Sequence, residues 1–346
     1  MIFHDLFHNN IFAFCILSSI IIISINKIFS NFIIKGKIYD LNEKNNNNLV
    51  YTGFGFSFVI ITLIYLLFFL ISSDGNSQYF QIKYLSIPIS VIIIGCIGFL
   101  DDYKSTPIHL RLSLFFICCF LSTSSLNNDI LPIIPFHKVQ LIILTFFWVY
   151  VVNASNFLDG GDKYYINFIL PSSIFFILYY HFIDFNIVRL QINILIAIFI
   201  FHFSFYNKDP QKFFLGDTGS LSIGFIFCWN IFNLIENQEY ILGILMSLYI
   251  LSDVTLTLLI RIIYRKNIFS RHKGFFIHVS SYLGRTKKEI ANSILIINII
   301  LVIIALIYKL YFTNYILLVF SLLIYFLYLF YLIKFKFNNL KYIYKN

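Results

Sequence analysis

NASNFLDGGDK, residues Asn153–Lys163, lies between two long apolar runs. Asn153, Asn156 and Asp159 recur every third residue, which puts them on one face of a helical turn. Gly160 and Gly161 then allow a tight reversal before Asp162. Polar groups at the mouth of a membrane bundle cost free energy unless they have partners or a task. A helix end closed by an Asx-type turn would account for this run alone. Two further acidic clusters at similar membrane edges argue for a shared site instead.

The 346 residues are 59% hydrophobic and only 12% charged, with a mean hydropathy of +0.83. Soluble domains do not have that balance. Apolar runs of about 17–25 residues, each sufficient to cross a bilayer, recur along the whole length. The alternating pattern of a closed barrel is missing. The sequence therefore predicts an all-α, polytopic membrane helix bundle of about 10–11 transmembrane helices, built as a single integral membrane domain over residues 1–346. Spans are expected near 11–34, 53–72, 83–100, 110–125, 138–152, 165–183, 186–205, 219–235, 240–260, 290–309 and 313–333. Met1–Asn10 has no Lys or Arg and no small-residue cleavage site follows, so the first span reads as uncleaved. The five cysteines all lie in apolar runs without metal-ligand spacing and read as packing residues.

The net charge of +9 raises the question of nucleic acid, but the placement of the basic residues points to topology. The odd-numbered loops hold Lys35, Lys37 and Lys44, then Lys104 and Arg111, then Lys163, then Lys208 and Lys212. The ninth loop, Arg261–Lys288, holds close to a third of the chain's 25 Lys and Arg. The even loops hold almost none, Lys83 and Lys138 apart. By the positive-inside rule the odd loops are cytoplasmic, the N-terminus is outside and the C-terminus is in the cytoplasm. The acidic clusters fall on that same face, and no nucleic-acid partner is expected.

Each cluster has a bland reading and a chemical one. Asp40 and Lys44 in the Asn-rich first loop are either solvated or ligand contacts. Gly53 and Gly55, opening the second helix, permit close approach of backbone or phosphate. The third helix ends in GFLDDYK, with Asp101 and Asp102 at a dipole end that disfavours anions. A cation should lie near, either a metal ion or Lys104 and Arg111; the two carboxylates can also face different ways, one structural and one functional. In FFLGDTGS, Asp217 can cap the coming helix. The same Gly-flanked turn presents free N–H groups suited to phosphate, and Asp217 beside it can hold Mg²⁺. Asp253 lies inside the ninth span, a functional candidate by depth; it would meet Arg261 only if that helix broke. The basic loop after it, with His272 and His278, faces either phosphate or the membrane surface.

In order, GFLDDYKS, NASNFLDGGDK, FFLGDTGS and LSDVTLTLLIR followed by RHKGFFIH resemble the polyprenyl-phosphate N-acetylhexosamine-1-phosphate transferases. That glycosyltransferase family includes the enzymes that start O-antigen lipids and the phospho-MurNAc-pentapeptide transferase. The resemblance covers about residues 36–283. It implies a catalytic pair at Asp101 and Asp102, and a nucleotide-sugar site at Asn153, Asn156, Asp159 and Asp162. It implies a Mg²⁺ ligand at Asp217, with Mn²⁺ as the alternative ion, and donor contacts from the loop bearing Arg271, His272 and His278. The implied partners are a UDP-sugar donor and a polyprenyl phosphate in the bacterial inner membrane, with the active site on the cytoplasmic face, at the first membrane step of surface polysaccharide or lipopolysaccharide synthesis. DLNEKNNNN lacks the Pro, Arg and His usual in the first loop, the second motif ends Gly-Asp-Lys where Asp-Gly-Leu is usual, and Phe275 stands where a second His is usual. RHKGFFIHVSS also lacks the consecutive histidines of the muramoyl-pentapeptide enzymes, so the expected donor is a UDP-N-acetylhexosamine without peptide, with UDP-MurNAc-pentapeptide as the alternative. Phe275 suggests an apolar contact and a 6-deoxy sugar. The competing class is a secondary transporter, which would place its acidic residues near the midplane of inverted repeats. No such repeat is present between the halves, and most of the acidic clusters lie at the cytoplasmic edge.

Overall fold

A computed structural model describes residues 10–38, 50–72, 82–104, 106–126, 130, 134, 136–159, 161, 163–208, 212–267, 274–311, 315–334 and 336–345. In lipid every backbone polar group must be satisfied within the protein, so apolar runs become helices. The long helices are α1 (Ile11–Gly36), α2 (Phe56–Ser72), α3 (Ile82–Tyr103), α4 (Ile108–Ser124), α5 (His137–Phe157), α6 (Tyr164–Phe182), α7 (Ile187–Phe203), α8 (Gly216–Glu236), α9 (Tyr240–Ile263), α11 (Lys287–Leu310) and α12 (Tyr315–Leu332). Among the described residues, eight are long and apolar enough to cross a membrane, and α2, α4 and α7 are shorter apolar helices. Each predicted span coincides with one of these helices, and the protein is an all-α polytopic membrane bundle. Among the described elements, α10 (Phe276–Tyr282), a 3₁₀ turn at Phe337–Leu340, α13 (Lys341–Lys345) and two two-residue strands have no predicted counterpart.

The chain packs as two compact units. The first comprises Met1–Asp159 and Phe176–Gln238. Its centre is α8, whose side chains from Thr218 to Leu234 are buried without a break. A helix apolar all round belongs in a core. Trp148 of α5 fixes one neighbour: its ring stacks on Phe225 with centroids 4.7 Å apart, and its Nε1 donates to the Phe225 carbonyl at 3.1 Å. Gly98 admits another, since a Cβ there would lie 2.7 Å from the Thr218 backbone. Small residues at such crossings let membrane helices approach closely. A two-residue parallel pair, Val50–Tyr51 with Lys212–Phe213, aligns the lead-ins to α2 and α8. Gly55 N–H extends it by donating to Leu215 O at 2.9 Å.

The second unit comprises Gly160–Phe175 and Glu239–Asn346. Here α9 runs unbroken from Tyr240 to Ile263, so Asp253 and Arg261 do not pair. Asp253 is 2% exposed and accepts the Phe276 N–H at 2.8 Å, with the Thr257 hydroxyl at 3.4 Å. Asn167 of α6 donates to Ala291 O at 2.7 Å, joining α6 to α11.

Candidate active site

Within the first unit the ends of four helices meet: the C-terminal ends of α3 and α5 and the N-terminal ends of α4 and α8. Asp102 closes α8 from outside that helix. Its Oδ1 accepts Asp217 N–H at 3.0 Å and the Thr52 hydroxyl at 3.1 Å; its Oδ2 accepts Thr218 N–H at 3.1 Å and the Thr218 hydroxyl at 2.6 Å. The carboxylate is unfavourable at its own helix's negative end and favourable at the positive end of α8. A cap of this kind contributes about 0.5–2 kcal/mol. Gly216 makes the approach possible: its φ is 72°, and an added Cβ would lie 2.4 Å from Asp102 Oδ2. Asp217 therefore does not cap its own helix, as one sequence reading had it; the cap comes from Asp102.

Asp101 faces the other way. Its Oδ1 accepts both the N–H and the hydroxyl of Thr106 at 2.7 Å, and its Oδ2 accepts Arg111 Nη1 at 2.5 Å. The same Nη1 donates to Asp217 Oδ2 at 2.8 Å, so one guanidinium bridges two carboxylates. This is the cation expected beside the aspartate pair. Asp217 Oδ1 accepts Asn156 Nδ2 at 2.9 Å, and Asn156 Oδ1 accepts the Ser220 hydroxyl at 2.7 Å. Asp159 Oδ2 accepts Gly216 N–H at 2.9 Å. Burial pushes the Asp159 carboxyl well above the usual carboxylate range; the Gly216 N–H opposes this, and the carboxylates of Asp102 and Asp217 add to it.

Five of the predicted residues thus converge: Asp101, Asp102, Asn156, Asp159 and Asp217. Asn153 instead donates to Val149 O of its own helix at 2.8 Å. Asp162, Arg271 and His272, with Asp40 and Lys44, lie outside the described residues. His278 lies on α10 in the second unit, half-buried, its ring 6.1 Å from that of Phe275. Phe275 is 3% exposed. Its ring packs inside the protein, which corrects the reading of it as an apolar surface for a sugar methyl. Thr52, Thr106, Thr218 and Ser220 were missed as site residues. Thr218 and Ser220 lie inside FFLGDTGS, Thr106 directly follows GFLDDYKS and Thr52 stands beside the glycine pair, so each stood near a sequence signal.

Among the described residues no three His, Cys, Asp or Glu side chains form a closed metal cage. Asp217 and Asp101 nonetheless fit a hard divalent ion. Both side chains keep surface, at 23% and 17% exposure, and both offer carboxylate oxygens. Mg²⁺ is typically held by one or two carboxylates plus substrate phosphates rather than by an all-protein cage. The junction also gathers the carboxyl groups of Asp101, Asp102, Asp159 and Asp217, of which Arg111 pairs with Asp101 and Asp217.

The fold and this junction define a polytopic membrane protein whose polar site is built from shared helix ends. Residues 84–235 match the model of glycosyl transferase family 4, and through that region the chain is similar to this family. Three phospho-N-acetylmuramoyl-pentapeptide-transferases are similar. That of Petrotoga mobilis is 32% identical over 203 residues, covering 54% of this chain and 60% of the relative. That of Orientia tsutsugamushi is 25% identical over 224 residues, covering 54% and 61%. That of Dictyoglomus turgidum is 30% identical over 169 residues, covering 45% and 54%. The matched stretch spans between half and two thirds of the length of each of these relatives.

Proposed function

We propose that this protein transfers a sugar 1-phosphate from a UDP-N-acetylhexosamine to a polyprenyl phosphate, releasing UMP. The observation that carries the reading is Arg111 shared between Asp101 and Asp217 beside the N-terminus of α8. An acceptor phosphate oxygen bonds to the sugar-bearing phosphorus, the bond from that phosphorus to the UMP oxygen breaks, and UMP leaves with the electron pair. The protein's part in such a transfer is mainly positioning and charge stabilisation. Arg111 holds Asp101 and Asp217 in register. Asp101 serves as base toward the acceptor or as the attacking group of a two-step route. Asn156 orients Asp217, and Asp159 fixes the turn at Gly216. Asp217, with Asp101 beside it, would hold Mg²⁺, which neutralises the diphosphate when bound. The acceptor's second pKa is near 6, so it is mostly dianionic at pH 7 and a base assists without being obligatory.

The positive-inside pattern supports a cytoplasmic site in a bacterial inner membrane. The named relatives raise the muramoyl-pentapeptide donor, whereas the absence of consecutive histidines in RHKGFFIHVSS favours a donor without peptide. With Phe275 buried, no preference for a 6-deoxy sugar follows. Membranes carrying the protein, given polyprenyl phosphate, Mg²⁺ and a panel of UDP-sugars, should release UMP with at least one UDP-N-acetylhexosamine. Release only from UDP-MurNAc-pentapeptide would overturn the donor assignment, and release from none would overturn the reaction.

A further inference from the structure

Two arginines flanking the His-bearing segment donate to backbone carbonyls. Arg261, 5% exposed at the end of α9, donates from Nη1 to Ile343 O at 3.1 Å and from Nη2 to Asn267 O at 3.1 Å. Arg285, just past α10, lies 3.6 Å over the Tyr331 ring and donates to Tyr331 O at 2.9 Å. A planar guanidinium suits this combination of carbonyl bonding and ring stacking. Two of the three acceptors belong to the C-terminal stretch, Tyr331 near the end of α12 and Ile343 within α13. Asn339 Nδ2, donating to Ile333 O at 2.8 Å, fastens the turn between those two helices.

Ile343 is fully buried, and Gly274 lies against it: a Cβ on Gly274 would sit 2.4 Å from Ile343 O. The rings of Tyr282 and Tyr342 have centroids 6.5 Å apart. So α10 is held before its start by Gly274 against Ile343, after its end by Arg285 on Tyr331, and along its flank by Tyr342. A seven-residue helix needs such support, because isolated helices shorter than about 12–15 residues are marginal.

We propose that residues 336–345 are a positioning strut for α10: they set the orientation of His278, and through it donor affinity, without entering the chemistry. The kinetic half of this inference rests on the transferase reading above; the structural half does not. The test uses the full chain in nanodiscs with Gly274→Val, which puts a side chain where Ile343 O lies, and Ile343→Asp, which buries an unpartnered charge. Amides 276–282 should exchange with deuterium about tenfold faster in both, while those of α8 stay unchanged. The KM for the active UDP-sugar should rise about tenfold with kcat within about twofold. Should both variants unfold globally, seen as faster exchange in α8 too, Tyr342→Ala decides, with the same split at about threefold. Unchanged exchange in α10 overturns the strut. Faster exchange with KM unmoved, or a fall in kcat alone, overturns its link to the donor. If the parent protein turns over no UDP-sugar, the transferase reading fails and exchange alone decides the strut.

Discussion

At the scale of single residues, the adjacent carboxylates of Asp101 and Asp102 have different work, and substitution should separate them. Asp102 accepts four hydrogen bonds, three of which close α8 while the fourth comes from the Thr52 hydroxyl. Asp102→Ala leaves the Asp217 and Thr218 N–H groups without that acceptor, a loss of about 1–3 kcal/mol per buried group left unmade. Melting in detergent should fall markedly, and activity with it. Asp101 bonds Thr106 and Arg111 and retains surface, so Asp101→Asn should leave melting near that of the parent while turnover drops by orders of magnitude. Equal melting losses in the two variants would contradict this division. Asp217→Asn removes the charge that pairs with Arg111 and, in the proposed reaction, would hold Mg²⁺ against the diphosphate, so UMP release should fall by about a hundredfold or more, as for other preorganised electrostatic groups. Near-normal activity in limiting Mg²⁺ would reduce Asp217 to a tether for Arg111. Asp159 carries a pH dependence. Its folded-state pKa is raised, so the folded protein keeps that proton to higher pH than the unfolded chain does. Stability from this group is therefore present below about pH 4 and is lost as pH rises toward the folded value. Asp159→Asn keeps an acceptor for Gly216 N–H and removes the titration, so with chelator present the melting difference between variant and parent should grow in the variant's favour from pH 5 to pH 8.

At the scale of elements, the helices were legible and several of their joints were not. Apolar runs mark spans because the bilayer leaves the backbone one solution, and all eleven long helices follow that rule. The acidic ends of α3 and α5 and the turn into α8 were legible for the same reason: carboxylates at a membrane edge stand out against 59% hydrophobic residues. What periodicity cannot convey is which helix end meets which. That Asp102 caps α8, 115 residues away, depends on Gly98 and Gly216 admitting a close approach, and glycine in a sequence does not name its neighbour. The pairing of Val50–Tyr51 with Lys212–Phe213 was hidden likewise, two residues a side being too short for an alternating pattern. Of the basic ninth loop, read as facing phosphate or membrane, Arg261 and Arg285 donate to backbone carbonyls, while Arg271, His272 and Lys273 lie outside the described residues. Charge counts do not distinguish an arginine facing an anion from one engaged with the backbone. Arg111→Lys tests the joint between α4 and α8. A lysine keeps the charge but loses the planar fork, so donor KM should rise and kcat fall, with melting changed less than in Asp102→Ala. An Arg111→Lys variant indistinguishable from the parent would show that only charge matters there.

At the scale of the whole molecule, the placement of the basic residues behind the net charge of +9 predicts sidedness, and two apparent exceptions are paired with acids. Arg189, near the sixth loop, would count against the assigned orientation if its charge were free. It is 9% exposed at the side chain, pairs with Asp184 at 3.2 Å and lies 3.9 Å from Glu236. Lys309, near the tenth loop, is ion-paired with Glu239. Two basic residues at the expected outer ends, Arg189 and Lys309, are thus paired with acids, while Lys208 and Lys334 lie on odd segments, on the expected cytoplasmic side. A protein holding this arrangement should present Asn237 outside and Lys208 and Lys334 inside. Single-cysteine variants at these three positions, made after replacing the five native cysteines, can be treated with an impermeant maleimide on intact cells. Labelling of Asn237→Cys alone, with Lys208→Cys and Lys334→Cys reached only after permeabilisation, is the expected result. Because Asp101, Asp217 and Lys208 all lie at the ends of helices on odd loops, the inverse pattern would move the carboxylate junction away from cytosolic nucleotide-sugar. It would then remove the transferase reading together with the topology.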